Sequence, residues 1–280
     1  MDLVGHLTVI EEAGLGQEMF LSEKEIIFAM FPNFAHCHEW AYKNLWNIHQ
    51  KAPDWDLRIV QGHMICDWVI HYGPRWTPVM ERVGWAYHEM PLSIAELDLF
   101  MNKIVSEGYV QHDPRTRDSR DHLERDFGHT AIECALDFIL AKKYVGTNRL
   151  EKMAHAFETL ARPEESLSLI QKTFDKVSGY TREPDSRILK TINEYARWSM
   201  YVTHSEQYAA LTLMSKYDIK ETPETLEFIV EFLEKISRRL DSSGLHYMYD
   251  QIVERIANPE LAMSPFGPPA PGAGRRDDWS

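Results

Sequence analysis

The stretch Gly62–Gly73 reads GHMICDWVIHYG. It sets His63, Asp67 and His71 four residues apart and fills the gaps with Met, Ile, Cys, Trp, Val and Ile. On a helix, positions i, i+4 and i+8 fall on one narrow stripe. The rest of the circumference is apolar, which predicts a helix buried on all sides. Buried ionisable groups are costly unless something compensates them. A metal ion is the simplest compensator for two imidazoles and a carboxylate.

A second stretch repeats the pattern. From Gly128, GHTAIECALDFIL places His129, Glu133 and Asp137 at the same spacing, with Thr, Ala, Ile, Cys, Ala and Leu between them. If the two helices pack face to face, the stripes meet in the interior. A buried hydrogen-bonded network is the competing reading, but two costly stripes in one chain call for a shared reason. His63 and His71 lie about 12 Å apart along a helix axis. Metal–nitrogen bonds are about 2.1 Å long, so the two histidines serve different ions. Asp67 lies midway and is expected to bridge them, and it or a nearby carboxylate to take a proton from the attacking water. His129 and Glu133, about 6 Å apart in rise, can close on a single ion.

Two further stretches add candidates. FPNFAHCHEWAYKNL, from Phe31, offers His36 and His38. Residues two apart on a helix do not share a face, so one of the pair is expected to ligate. GHLTVIEEAG, from Gly5, offers His6. Of the 13 histidines, ten lie at or before residue 129, which places the site in the first half of the chain and leaves the second half as scaffold. Imidazole-rich ligation with a few carboxylates suits zinc, with iron or manganese as alternatives.

Helical periodicity runs through the chain and strand signals are weak. Helices are predicted over roughly 4–14, 22–31, 35–50, 57–72, 93–107, 119–144, 148–161, 164–177, 186–216 and 222–257, from the 3.6-residue period. Ser22 with Glu25, and Thr222, read as helix caps. Breakers such as Pro32, Pro53, Pro91 and Pro114 stand between the helices. The fold class is all-α, a multi-helix bundle with a buried multinuclear metal site. Residues 1–145 form the metal-binding catalytic region and 146–257 a helical scaffold packed on it in one continuous domain. Residues 258–280 form a Pro/Gly-rich tail without periodicity.

The formal net charge is -13, from 43 acidic and 30 basic residues. That balance argues against a nucleic-acid or anionic-membrane binder, and no apolar run reaches the length of a membrane span. The first residues lack the basic segment of a secretory signal, and three cysteines make no disulfide framework. A cytoplasmic protein acting on a small molecule is expected. Cys37, Cys66 and Cys134 each neighbour a candidate ligand, but one residue along a helix is about 100° of rotation, so they are expected to pack as small hydrophobes.

Together these motifs resemble the zinc-dependent phospholipase C family and its relatives, the single-strand-specific zinc nucleases. The resemblance covers roughly residues 1–140 and rests on His6, on PNFAH with Asn33 and His36, on His63, Asp67 and His71, and on His129 and Glu133. It implies an all-α fold holding up to three zinc ions on histidines and carboxylates. Asn33 stands where the family has aspartate, and one ion loses an anionic ligand unless Asp54 or Asp56 replaces it. Family members also use a terminal amine and an N-terminal tryptophan that this start does not offer. Two or three zinc ions per chain are the expectation. Asn33 and Asp137 serve as additional ligands or as partners that orient ligating histidines. The function implied is hydrolysis of a small phosphate ester by metal-activated water, with Arg75 and Arg125 contacting phosphate and Arg58 and Arg120 as further candidates. The alternatives are a dinuclear iron oxygenase, which normally draws more carboxylates in Glu-x-x-His spacings, and a non-hydrolytic enzyme on the same scaffold.

Overall fold

The computed structural model describes residues 3–16, 21–72, 102–103, 130–131, 133–143, 151–153, 155–156, 163–177, 185–202, 206–217, 219–242 and 245–263. The elements are α1 (Leu3–Glu12), α2 (Glu23–Ala29), α3 (Phe31–Phe34), α4 (His38–Lys43), α5 (Leu45–Gln50) and α6 (Trp55–Tyr72). The second half adds α7 (Pro163–Lys176), α8 (Asp185–Val202), α9 (Glu206–Lys216), α10 (Pro223–Ser242), α11 (Leu245–Ala257) and α12 (Glu260–Met263). A helical segment over 133–143 carries Glu133 and Asp137. No strand is found among the described residues, and the chain is all-α. None of the described helices is long and apolar enough to cross a membrane.

The axis of the molecule is α6. Every residue from Ile59 to Ile70 is buried, as its apolar circumference predicts. α2 and α11 pack on it most extensively, with α5 and α1 beside them. α11 also lies against α1, α7 against α2, and α8 against α3. Helices from both halves therefore share one hydrophobic cluster, running from Val4 and Ile10 through Ile65 and Val69 to Ile252 and Ile256.

Local chemistry sets the helix ends. Ser22 and Glu25 form the reciprocal capping box that their spacing predicts, Glu25 accepting from the Ser22 N–H at 2.8 Å. Thr222 accepts from the Thr225 N–H at 3.2 Å and caps α10. The single long helix predicted over 35–50 is two short ones that meet at Asn44, whose Nδ2 donates to the Trp40 carbonyl at 2.9 Å. An asparagine that bonds local backbone competes with the helix ladder. The predicted helices over 186–216 and 222–257 are likewise each two helices.

Two expectations change at the periphery. The tail does not begin at 258. Pro259 opens the α12 turn, and Ala262 and Met263 are buried. Arg58 is tied to the end of α11. Its guanidinium donates to the carbonyls of Ile256 (2.6 Å) and Ala257 (3.1 Å), the last residues of α11, and to Gln61 Oε1 (2.7 Å). A cation at a helix C-terminus satisfies orphan carbonyls and complements the dipole.

Gly62 is where α6 is crossed most closely. A Cβ there would lie 3.1 Å from Leu15 Cδ1, 3.3 Å from Ile256 Cγ2 and 3.5 Å from Ile10 Cγ1. Replacement by a branched side chain overpacks this crossing at a cost of about 1–3 kcal/mol. Gly62→Val is expected to lower the melting temperature by about 3–10 °C. An unchanged melting curve would show that α1 and α11 can yield at this point.

Candidate metal centre

Asp67 is the centre of the site. It lies in the middle of α6 and is 4% exposed. His6, 1% exposed on α1, donates from Nε2 to Asp67 Oδ1 at 2.8 Å. His63, one turn before Asp67 and fully buried, brings its own Nε2 to 3.3 Å from Oδ2. The rings of His6 and His63 stack with centroids 4.0 Å apart. His38, at the start of α4, brings its Nε2 to 3.6 Å from Oδ2, with a side chain 42% exposed. One buried carboxylate is thus met by three imidazoles from three separate helices.

His63 and His38 are each fixed by a second contact. The Nδ1–H of His63 donates to the carbonyl of Ala29 at 2.6 Å. Ala29 ends α2, so this bond satisfies an orphan carbonyl and sets the ring's tautomer. Nε2 of His63 is buried and makes no hydrogen bond among the described residues, 3.3 Å from a carboxylate oxygen. A proton on this nitrogen or a cation between the two atoms would satisfy both. Nε2 of His38 meets Asn33 Oδ1 at 3.1 Å. Ligand bonds of about 2.0–2.1 Å in a tetrahedral site put neighbouring donor atoms about 3.4 Å apart. The 3.3, 3.6 and 3.1 Å spacings around Asp67 Oδ2, His63, His38 and Asn33 lie close to that separation. His6, His63 and Asp67 form a buried group that could hold a metal ion.

The electrostatics keep the group in ligand form. Burial lowers the affinity of His6 for a proton, and neighbouring His63 lowers it further, against the pull of Asp67. Burial and His63 also lower His38, while Asp67 opposes the shift. Burial would raise Asp67, but neighbouring His63 and His6 and the hydrogen bond from His6 outweigh it and hold the carboxyl below the usual range. Neutral imidazoles and an ionised carboxylate are the forms that bind metal. Burial pushes the thiols of Cys37 and Cys66 up, so they stay protonated and pack as small hydrophobes.

The other candidates are distributed around this centre. His36 is exposed and its Nε2 bonds Thr191 Oγ1 at 2.7 Å. Glu133 is half-buried, and its charge acts on both His38 and Cys66, which places it on the same side of the core. Asp137 is buried and accepts from the backbone N–H groups of Val4 (2.9 Å) and Gly5 (3.0 Å). It caps the first turn of α1, the turn that carries His6. Its partners lie more than 130 positions away in sequence, and no local pattern announces such a cap. Asp54 and Asp56 lie away from this group. Both hold Lys176, at 2.8 and 2.9 Å, and Asp56 lies eleven residues before Asp67 on α6, about 16 Å along the axis. α6 runs through His71, but that side chain lies outside the described residues, as do His129, Arg75, Arg120 and Arg125. Models of known protein families, curated proteins and solved structures include no match to this chain.

The depressed proton affinities carry a sign. An unfolded histidine takes up its proton near pH 6.5 and an aspartate near pH 3.9, while folded His6 and Asp67 resist until lower pH. Between those limits the unfolded chain binds more protons, so stability falls with acid. The metal-free protein is expected to lose melting temperature between pH 7 and 5, and more below pH 4. The first loss should be smaller in His6→Gln. Thermal melts across pH test this; an identical slope in both proteins would detach His6 from the effect.

Proposed function

We propose that this chain is a metal-dependent hydrolase of a small phosphate ester, with divalent ions held around Asp67. The observation that carries the reading is His63 Nε2, buried and without a hydrogen-bond partner among the described residues. Its ring is held by Ala29 so that this nitrogen lies 3.3 Å from Asp67 Oδ2, an arrangement that a cation shared by the two atoms would satisfy. The donor set fits a borderline divalent ion such as zinc, with iron or manganese next. His6, His38, His63 and Asp67 would hold it, with Asn33 offering a neutral oxygen. His71, His129 and Glu133 are the remaining ligands for a second ion. Bound ions would polarise a phosphoryl oxygen, lower the pKa of water and stabilise the leaving oxygen.

The residues of the chain have distinct tasks in this reading. A general base near neutrality needs a proton affinity close to the working pH. That of Asp67 is held below the usual carboxylate range, so Asp67 would hold the metal as an anion rather than take the proton. His6 and His38 resist protonation, and the imidazoles would contribute lone pairs to the ion. The closed apolar wall of α2 and α6 keeps water from the inner face of the group, while the exposed side of His38 marks where a substrate approaches. An overall charge of -13 favours a small ester over a polyanion.

Metal analysis of the purified protein is expected to find at least two divalent ions per chain. Small chromogenic phosphate esters should be cleaved without dioxygen or reductant, with activity lost to chelator and restored by zinc or manganese. Asp67→Ala should lose metal together with more than about 100-fold of the activity. Iron-loaded protein that cleaves no ester and turns over only with dioxygen would replace this reading with the oxygenase. Full metal content in Asp67→Ala would remove Asp67 from the centre.

A further inference from the structure

The segment from Asn33 to His38 is gripped from the second half of the chain. Thr191 and Tyr195 stand one turn apart on one face of α8. The Thr191 hydroxyl spends its only proton on the Arg187 carbonyl at 3.1 Å, so it must accept from His36 Nε2–H at 2.7 Å. The Tyr195 hydroxyl accepts from Asn33 Nδ2 at 2.5 Å, and the Tyr195 ring packs edge-on against Phe34 at 5.6 Å. Between these two anchors the backbone at His36 is left-handed, φ 51°. A non-glycine residue holds that conformation only where its surroundings over-determine it.

The grip has a chemical consequence at Asn33. A carboxylate presents two equivalent oxygens, whereas an amide has one acceptor end and one donor end. Only the acceptor end can face a cation. The Nδ2 end of Asn33 is taken by Tyr195, which turns Oδ1 toward His38 Nε2 at 3.1 Å and toward the space beside Asp67. We propose that Tyr195 is a positioning residue for the metal centre, which orients the Asn33 amide so that its oxygen and not its NH₂ faces the ion. α8 is on this account part of the site and not only its support. The inference rests on the metal reading above.

The test is a double-mutant cycle read as metal affinity. Zinc affinity is measured by competition with a chromophoric chelator, and cobalt(II) substituted into the protein reports ligand geometry by its visible absorption. Tyr195→Phe keeps the ring against Phe34 and removes only the hydroxyl. It is expected to weaken the binding of one ion about 10-fold and to change the cobalt spectrum, while the metal-free protein melts as the wild type does. In an Asn33→Asp background either end of the side chain is an oxygen, so Tyr195→Phe should cost little there. An equal loss in both backgrounds would mean that the hydroxyl merely supports the fold and would overturn the proposal. Wild-type affinity and spectrum in Tyr195→Phe would also overturn it, leaving the metal reading intact. If the wild-type protein binds neither zinc nor cobalt, both readings fall together.

Discussion

A carboxylate inside a fully buried helix is the condition to which the rest of the structure answers. Asp67 sits among Cys66, Trp68, Met64 and Ile70, all with little or no exposure. An ionised group there is tolerable only if its charge is matched at close range. Matching it needs donors on different helices, because a single helix offers only its i±4 neighbours. α1 therefore brings His6, α4 brings His38, and α2 orients His63 through the Ala29 carbonyl. The packing order of these helices about α6 is the geometry that lets three imidazoles reach one residue.

Much of this was readable from periodicity. The run from Ile59 to Ile70 announced a helix buried all round, and its polar stripe announced that something had to meet His63 and Asp67. His6, a lone histidine at the opening of a helix, was a weak signal on its own and entered the set through the resemblance. The choice between His36 and His38 was not readable. It turns on a short break between α3 and α4 and on a left-handed backbone at His36, and neither leaves a mark in hydrophobic spacing. The division of 35–50 at Asn44 escaped for a related reason: apolar spacing continues across it, and only the side chain's bond to Trp40 reveals the break. Thr191 and Tyr195 read as ordinary members of an amphipathic helix, since a side chain that acts across more than 150 positions has no local signature.

The scaffold role assigned to the second half from its scarcity of histidines is too narrow a description. α11 is tied to α6 through Arg58 and wedged against Gly62, so it fixes how closely α1 can approach the central helix. α7 ends where Lys176 holds Asp54 and Asp56 at the start of α6. These contacts bear no ligands. They set the distances at which the histidines and Asp67 meet, and small differences in such distances decide what a cluster of imidazoles and a carboxylate can bind.

The cap that Asp137 places on α1 orders events in time. α1 is synthesised well before its cap: the acceptor for the free N–H groups of Val4 and Gly5 is made more than 130 residues later. At ordinary elongation rates that interval is on the order of ten seconds. Until then α1 is a ten-residue helix with an unsatisfied first turn, too short to persist alone in water. His6 cannot take its place beside Asp67 before the helix at 133–143 has emerged and docked. The group around Asp67 thus gains the cap on its first helix only about halfway along the chain, and its contacts with α8 and α11 come later still.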